Sequence, residues 1–427
     1  MKKSMLALLM CMVAAFSFAG GQAGAGEEDV VLNYWTWHPS AELLQPILDD
    51  FESENPGITV NLTVVDAEMY QEKIPTALAS GESLDVVGVQ AGLMPSQIQG
   101  YLTPIEPYLE AVAGSNWESA LKEKDIEICK HQTGGELFMI AMGSFGSAMG
   151  LYNVEIFDEL GLSVPETYEE MVNVANAIRE EKPGVLPVVF AGEPWWVNEI
   201  VLNLVSQESE WWNEVRYDEG GRWDDPRYIQ AVEDFFQMHE DGVFEDMTDI
   251  GEDRAYEIFF AGEAAIYYGG SWDAPILSET FRKNQGIDLE NVGAMMMPVM
   301  RPGVGEPTMR AFIELGLSIP EVSDHKEEAA KLIWYLVAGD GFDRLNWDNF
   351  IVPSKKGSMI PDSLLTSQEA RDGWELIVSI TNEAKSFRDS MSEFEDVAGQ
   401  ILIAIIHGAD IQESCEWLQK EFTSGRY

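Results

Sequence analysis

Basic residues are scarce in this chain: 26 Lys and Arg stand against 74 Asp and Glu in 427 residues, a formal net charge of −48. A surface of that sign repels phosphate backbones, which excludes nucleic acid as a partner and disfavours anionic ligands. The acidic residues are spread along the chain and read as solvated helix faces. Cysteine is scarcer still, at three. Cys129 and Cys415 lie too far apart to form a disulfide framework. They read as two separate buried thiols, with pairing in an oxidising compartment as the alternative. The five histidines, at 38, 131, 239, 325 and 407, have no metal-ligand spacing. There is no P-loop, no dinucleotide fingerprint after the first strand pattern, and no internal repeat. The run from Gly269 to Asp273 ends in Asp where a nucleophile elbow needs Gly. Carboxylate pairs, which a glycosidase would need, occur by number alone in so acidic a chain and decide nothing. Neither a cofactor nor a metal is expected.

Long apolar runs are also missing, apart from residues 5–18. That run follows Lys2 and Lys3 and precedes small-x-Ala sites, the order of an export signal over residues 1–25, and it is too short to span a membrane. Cys11 lies inside the apolar run behind Met10, so a lipid anchor is not expected. The expected location is periplasmic or otherwise extracytoplasmic.

What is present is an α/β alternation. Apolar strand patterns fall at residues 30–35, 58–65 and 85–90, separated by helical patterns at 43–51 and 69–79. This β-α-β-α-β order predicts a parallel sheet. Pro46 and Pro75 interrupt the two helices, so a late start or a kink is expected. Ser40 is a candidate cap, Thr167 with Glu170 a capping box, and Asp324 with Glu327 a further start signal. Further strands are expected at 137–142, 186–190, 264–268, 292–300 and 312–319. The small-residue run at 143–147 reads as a hinge.

The stretch 258–277, IFFAGEAAIYYGGSWDAPIL, reads as helix, buried strand, glycine turn and helix start. It places Trp272 at the carboxyl end of a strand, where open α/β sheets bind ligands. Gly270 allows close backbone approach there, and Asp273 either caps the next helix or meets a ligand. Other aromatic and planar polar side chains also follow strand patterns: Trp37 and His38, Gln90, Trp195 and Trp196, and Trp347. Asp66 reads as a helix cap at a strand end, and Arg310 as a possible hydroxyl donor or a surface residue. Aromatic planes with carboxylates, amides and guanidinium suit the apolar faces and hydroxyl rims of sugars. Trp211, Trp212 and Trp223 read as packing.

Six stretches together resemble one family: 51–60, 69–87, 151–171, 259–272, 318–337 and 401–418. They are similar to the extracellular solute-binding proteins of ABC-type sugar importers, relatives of maltose-binding protein. The resemblance covers most of the chain in the family's order. It implies a two-lobed periplasmic-binding-protein fold, each lobe a mainly parallel sheet flanked by helices, with a hinge and an interlobe cleft. Lobe 1 would take 27–142 and 301–340, and lobe 2 would take 143–300 and 341–427. It also implies a monomer that binds a neutral mono- or oligosaccharide and docks on membrane permease subunits, without enzymatic activity. The run 143–149, GSFGSAM, departs from the family's strand-like approach to Leu151. Two rival readings are the same fold holding a polyamine or other cation, and an exported carbohydrate-active enzyme.

Overall fold

A computed structural model describes residues 29–131, 133–216, 220–384, 386–387 and 392–425. The expected export signal lies outside these residues, and no described helix is long and apolar enough to cross a membrane.

Eleven strands are described: β1 Val30–Thr36, β2 Ile58–Val64, β3 Val86–Val89, β4 Met139–Ser147, β5 Met149–Asn153, β6 Leu186–Val189, β7 Ala264–Gly269, β8 Val292–Met296, β9 Arg310–Ser318, β10 Val352–Pro353 and β11 Ser386–Phe387. They form two sheets. The first runs β10-β4-β9-β3-β1-β2 with β11 beside β9, and the second runs β6-β7-β5-β8. The predicted βαβ start holds: β1 pairs in parallel with β2 and β3. The rest is mixed, because β9 returns antiparallel between β3 and β4. In the second sheet β5 pairs antiparallel with both β7 and β8, and only β6–β7 is parallel.

The helix Ala41–Glu54 buries Leu44, Ile47, Leu48 and Phe51, the i, i+3, i+4, i+7 stripe of an amphipathic helix. It begins directly after Ser40, so the late start expected from Pro46 does not occur. Pro46 sits on the exposed side of the helix, where its missing N–H costs one ladder bond but no packing. The hydroxyl of Ser40 makes no cap bond. The capping box forms as expected. Thr167 Oγ1 accepts from the Glu170 N–H at 3.4 Å, and the Glu170 carboxylate accepts from the Thr167 N–H at 3.1 Å. Asp324 does not cap its helix. Lys326–Val337 starts at His325, with no side-chain bond at the cap.

Two apolar cores go with the two sheets. One gathers residues between Leu32 and Met142 and between Ile313 and Leu345. The other gathers residues between Ala148 and Met309 and between Phe350 and Leu418. Cys129 is buried in the first and Cys415 in the second, both as free thiols. Trp211, Trp212 and Trp223 are fully buried in the second, where Trp211 stacks on Tyr228 at 4.7 Å.

The chain passes between the cores along β4. The 143–147 run is strand, and every residue of it is buried, so the departure seen in the sequence does not become an irregular loop. Its small residues admit close neighbours: a Cβ on Gly143 would overlap Ile351 and the Val352 carbonyl, and one on Gly146 would overlap the Met309 sulfur. Register against β9 shifts between Ala141 and Ser144. Ala148, at φ 60°, turns the chain from β4 into β5.

Candidate ligand-binding site

After β7 the chain enters a 3-10 helix, Ser271–Leu277, which contains the helix start expected around Asp273 to Pro275. Three hydrogen bonds hold this turn. The Ser271 hydroxyl accepts from the Gly146 N–H at 2.8 Å, tying it to β4. The Asp273 carboxylate accepts from the Gly270 N–H at 3.1 Å and from the Tyr256 hydroxyl. Desolvation pushes the Asp273 carboxyl up to about 7. Gly270 is required for a different reason from the one expected. The ring of Trp272 folds back over it, and a Cβ there would fall inside that ring. The glycine makes room for the tryptophan.

Trp272 is half-buried where the two cores meet. Its ring centroid lies 6.4 Å from Phe145, 6.1 Å from Phe312 and 5.6 Å from Trp196, at steep interplanar angles. Phe145, Phe312 and Ile351 form a small buried cluster of their own, separate from both cores, with Trp272 packed against it. His38 adds its ring 6.2 Å from Phe145. Trp195 adds its ring 5.2 Å from Trp196, both on the first turn of helix Pro194–Ser206 and not in a preceding loop. Strand ends and a helix start from both sheets thus converge on one aromatic group. Two buried polar atoms in it, His38 Nε2 and Trp196 Nε1, have no hydrogen-bond partner among the described residues. Burial lowers the His38 imidazole to about 4, so it is neutral at pH 7.

Several of the other expected residues make contacts outside this group. Trp37 packs on its own sheet, 5.1 Å from Tyr70 and over Gly88. Gln90 accepts from Gln71 Nε2 at 2.8 Å. Asp66 is exposed and accepts from the Met69 N–H at 3.3 Å, as a cap does. Trp347 is 42% exposed on helix Asp340–Asn349. Its neighbour Asn346 is buried and accepts from the Ile351 N–H at 2.7 Å.

The surface alternative for Arg310 is corrected, because the residue is buried. Its side chain is 0% exposed, paired with the Glu199 carboxylate and 4.8 Å from the Trp212 ring centroid. The Ser147 hydroxyl donates to the same carboxylate. A strand of the first sheet is thereby locked to helix Pro194–Ser206, because a buried charge is tolerated only with its partner.

Phe145 and Phe312 were missed from the sequence. Phe145 was legible in principle, as the lone aromatic within Gly143–Ser147, while Phe312 read as an ordinary strand residue. The placement of Trp195 and Trp196 depends on Gly399 of helix Ser392–Ile406, which lies against the Pro194 carbonyl so closely that a Cβ would overlap it. Gly399→Ala is expected to cost about 1–3 kcal/mol by overpacking and to weaken ligand binding by displacing that first turn. Thermal unfolding together with a ligand titration checks both effects.

The family of bacterial extracellular solute-binding proteins matches residues 34–338, well over half of the chain. A relative is the multiple sugar-binding protein of Streptococcus mutans serotype c, 26% identical over 325 residues, covering 73% of this chain and 71% of that protein. Among solved structures, a maltose-bound protein of T. maritima superposes with a TM-score of 0.75 at 17% identity, covering 92% of this chain and 99% of the other. A protein studied for xylan utilization in the thermophile Caldanaerobius polysaccharolyticus superposes with a TM-score of 0.76 at 18% identity, covering 92% and 100%. Superposition over 92% of this chain shows that the fold is shared with these structures. With a match to the family over residues 34–338, this chain belongs to the bacterial extracellular solute-binding proteins.

Proposed function

We propose that this protein binds a neutral mono- or oligosaccharide between its two lobes and delivers it to the permease subunits of an ABC-type importer. The observation that carries the reading is the convergence of Trp272, Trp195, Trp196, Phe145 and Phe312 where the two cores meet. Aromatic planes suit the C–H faces of sugars, and the neutral imidazole of His38 with the indole N–H of Trp196 suits hydroxyl rims. The sugar binding in the name of the Streptococcus relative and the maltose held by the T. maritima structure support the same reading. The protein acts outside the cytoplasm as a monomeric carrier, without catalysis. Met309 packs with the second core and Ile313 with the first. This supports placing the return crossing inside β9, near 310, and the last crossing between Leu345 and Phe350.

The test is a panel of mono- and disaccharides read by thermal unfolding and tryptophan fluorescence. A cognate sugar at about 100 times its Kd stabilises the folded state by about 2.7 kcal/mol. Absence of any shift across a broad panel rejects the reading.

A further inference from the structure

A cavity of about 250 Å³ opens beside Trp272 within the second lobe. It is lined by Tyr256, Phe260, Tyr267, Trp272, Asp273 and Phe281, with apolar aliphatic side chains completing the wall. Two features set it apart. Five of these side chains are aromatic, and the only ionisable groups among them are the Asp273 carboxyl and the two tyrosine hydroxyls. Among the described residues, no Lys or Arg lines the cavity. Arg282, on the adjoining helix Glu279–Gln285, is turned away onto the carbonyls of Ile276, Leu277, Leu289 and Glu290.

The Asp273 carboxylate is neutralised only in part by its surroundings. Its donors include the Tyr256 and Tyr267 hydroxyls and the Gly270 N–H, all uncharged. A desolvated carboxylate without a cation is unfavourable, and the protein offers it none from the lining. Aromatic walls around a carboxylate are complementary to an alkylammonium ion. The ring faces attract the charge, the carboxylate accepts its N–H bonds, and the apolar lining takes the carbon body. The acidic surface of the whole chain raises the local concentration of cations.

We propose that this cavity is a second binding pocket, specific for a small organic ammonium ion of roughly one ring in size. It goes beyond the sugar reading and does not depend on it, although Trp272 borders both sites. The groups facing the carboxyl are Tyr256 and Glu252 from helix Glu252–Phe260, Tyr267 from β7, and the uncharged Leu151 and Phe281. Burial and the neighbouring carboxylates push both tyrosines well above their ordinary range, so neither ionises near neutrality. Asp273 is therefore the lining group that changes charge around pH 7. An alkylammonium ion, with a pKa near that of lysine, stays charged from pH 6 to 8. Affinity rises with pH as the carboxyl ionises.

The experiment compares cyclohexylammonium with its neutral isostere cyclohexanol by calorimetry at 0.15 M salt. Cyclohexylammonium is expected to bind at pH 8 at least tenfold more tightly than cyclohexanol. Its affinity should fall about tenfold at pH 6, given a carboxyl near 7. Asp273→Asn should abolish the preference for the ammonium. Because that change also loosens the turn, the pH series on the unaltered protein stands as an independent arm. Equal affinity for the two probes, a flat pH series, or no ammonium binding at pH 8 overturns the proposal. A sugar panel without response leaves it standing, and a sugar response without an ammonium response rejects it alone.

Discussion

Arg310→Ala is expected to destabilise the protein by about 3–5 kcal/mol, the cost of leaving a buried charge without its partner. Arg310 has no exposed surface, and the Glu199 side chain is only 4% exposed. Truncation leaves the Glu199 carboxylate without its cation, and a neutral donor such as the Ser147 hydroxyl does not offset desolvation of a full charge. The cation also lies against Trp212, so packing is lost with the charge. Replacing both partners by apolar residues, as in Arg310→Met with Glu199→Leu, should recover much of the loss, because neither charge is then stranded. Urea unfolding of the single and double variants measures the difference. A single-variant cost under about 1 kcal/mol, the range of an exposed pair, would show that water reaches the site.

Trp272→Ala should reduce sugar affinity by about thirtyfold or more, the roughly 2 kcal/mol of an aromatic hot spot. The ring touches Phe145, Phe312 and Trp196 and is half-exposed where both cores meet. It can therefore offer a face to a ligand while its position is fixed by packing. The same change should cost about 1–3 kcal/mol of stability, less than a fully buried aromatic, since part of the ring already contacts solvent. Trp272→Phe keeps a plane over Gly270 and should retain most of the affinity. Calorimetric titration with the cognate sugar, paired with thermal unfolding, separates the two effects. Unchanged affinity in Trp272→Ala would place the ligand elsewhere.

Much of the framework was legible in the sequence because it rests on local rules. The stripe Leu44, Ile47, Leu48 and Phe51 gave a helix, and the alternation in residues 58–64 gave a strand. Thr167 with Glu170 gave a cap. Local rules also gave wrong details. Pro46 suggested a late start or a kink, and the late start does not occur because its ring faces outward and the buried stripe carries the helix through it. The helix Gln368–Glu383 escaped notice, although its N-cap bond from Ser367 was available as a signal.

At the site the limit is of another kind. Trp272, Trp195, Trp196 and His38 were recognised as residues at element ends, but not that they share one aromatic group. Arg310 illustrates the difference most clearly. A lone arginine before a strand reads as exposed, because burying a guanidinium is costly. Only a carboxylate 111 positions away makes its burial possible. By itself the sequence determined the alternation of helices and strands, the acidic surface and the glycine turn that carries Trp272, since propensity and periodicity are properties of neighbouring residues. The tertiary structure alone decided which aromatics meet, which charge is buried and what Gly270 is for. Those outcomes depend on contacts between segments far apart in the chain, and no local pattern encodes them.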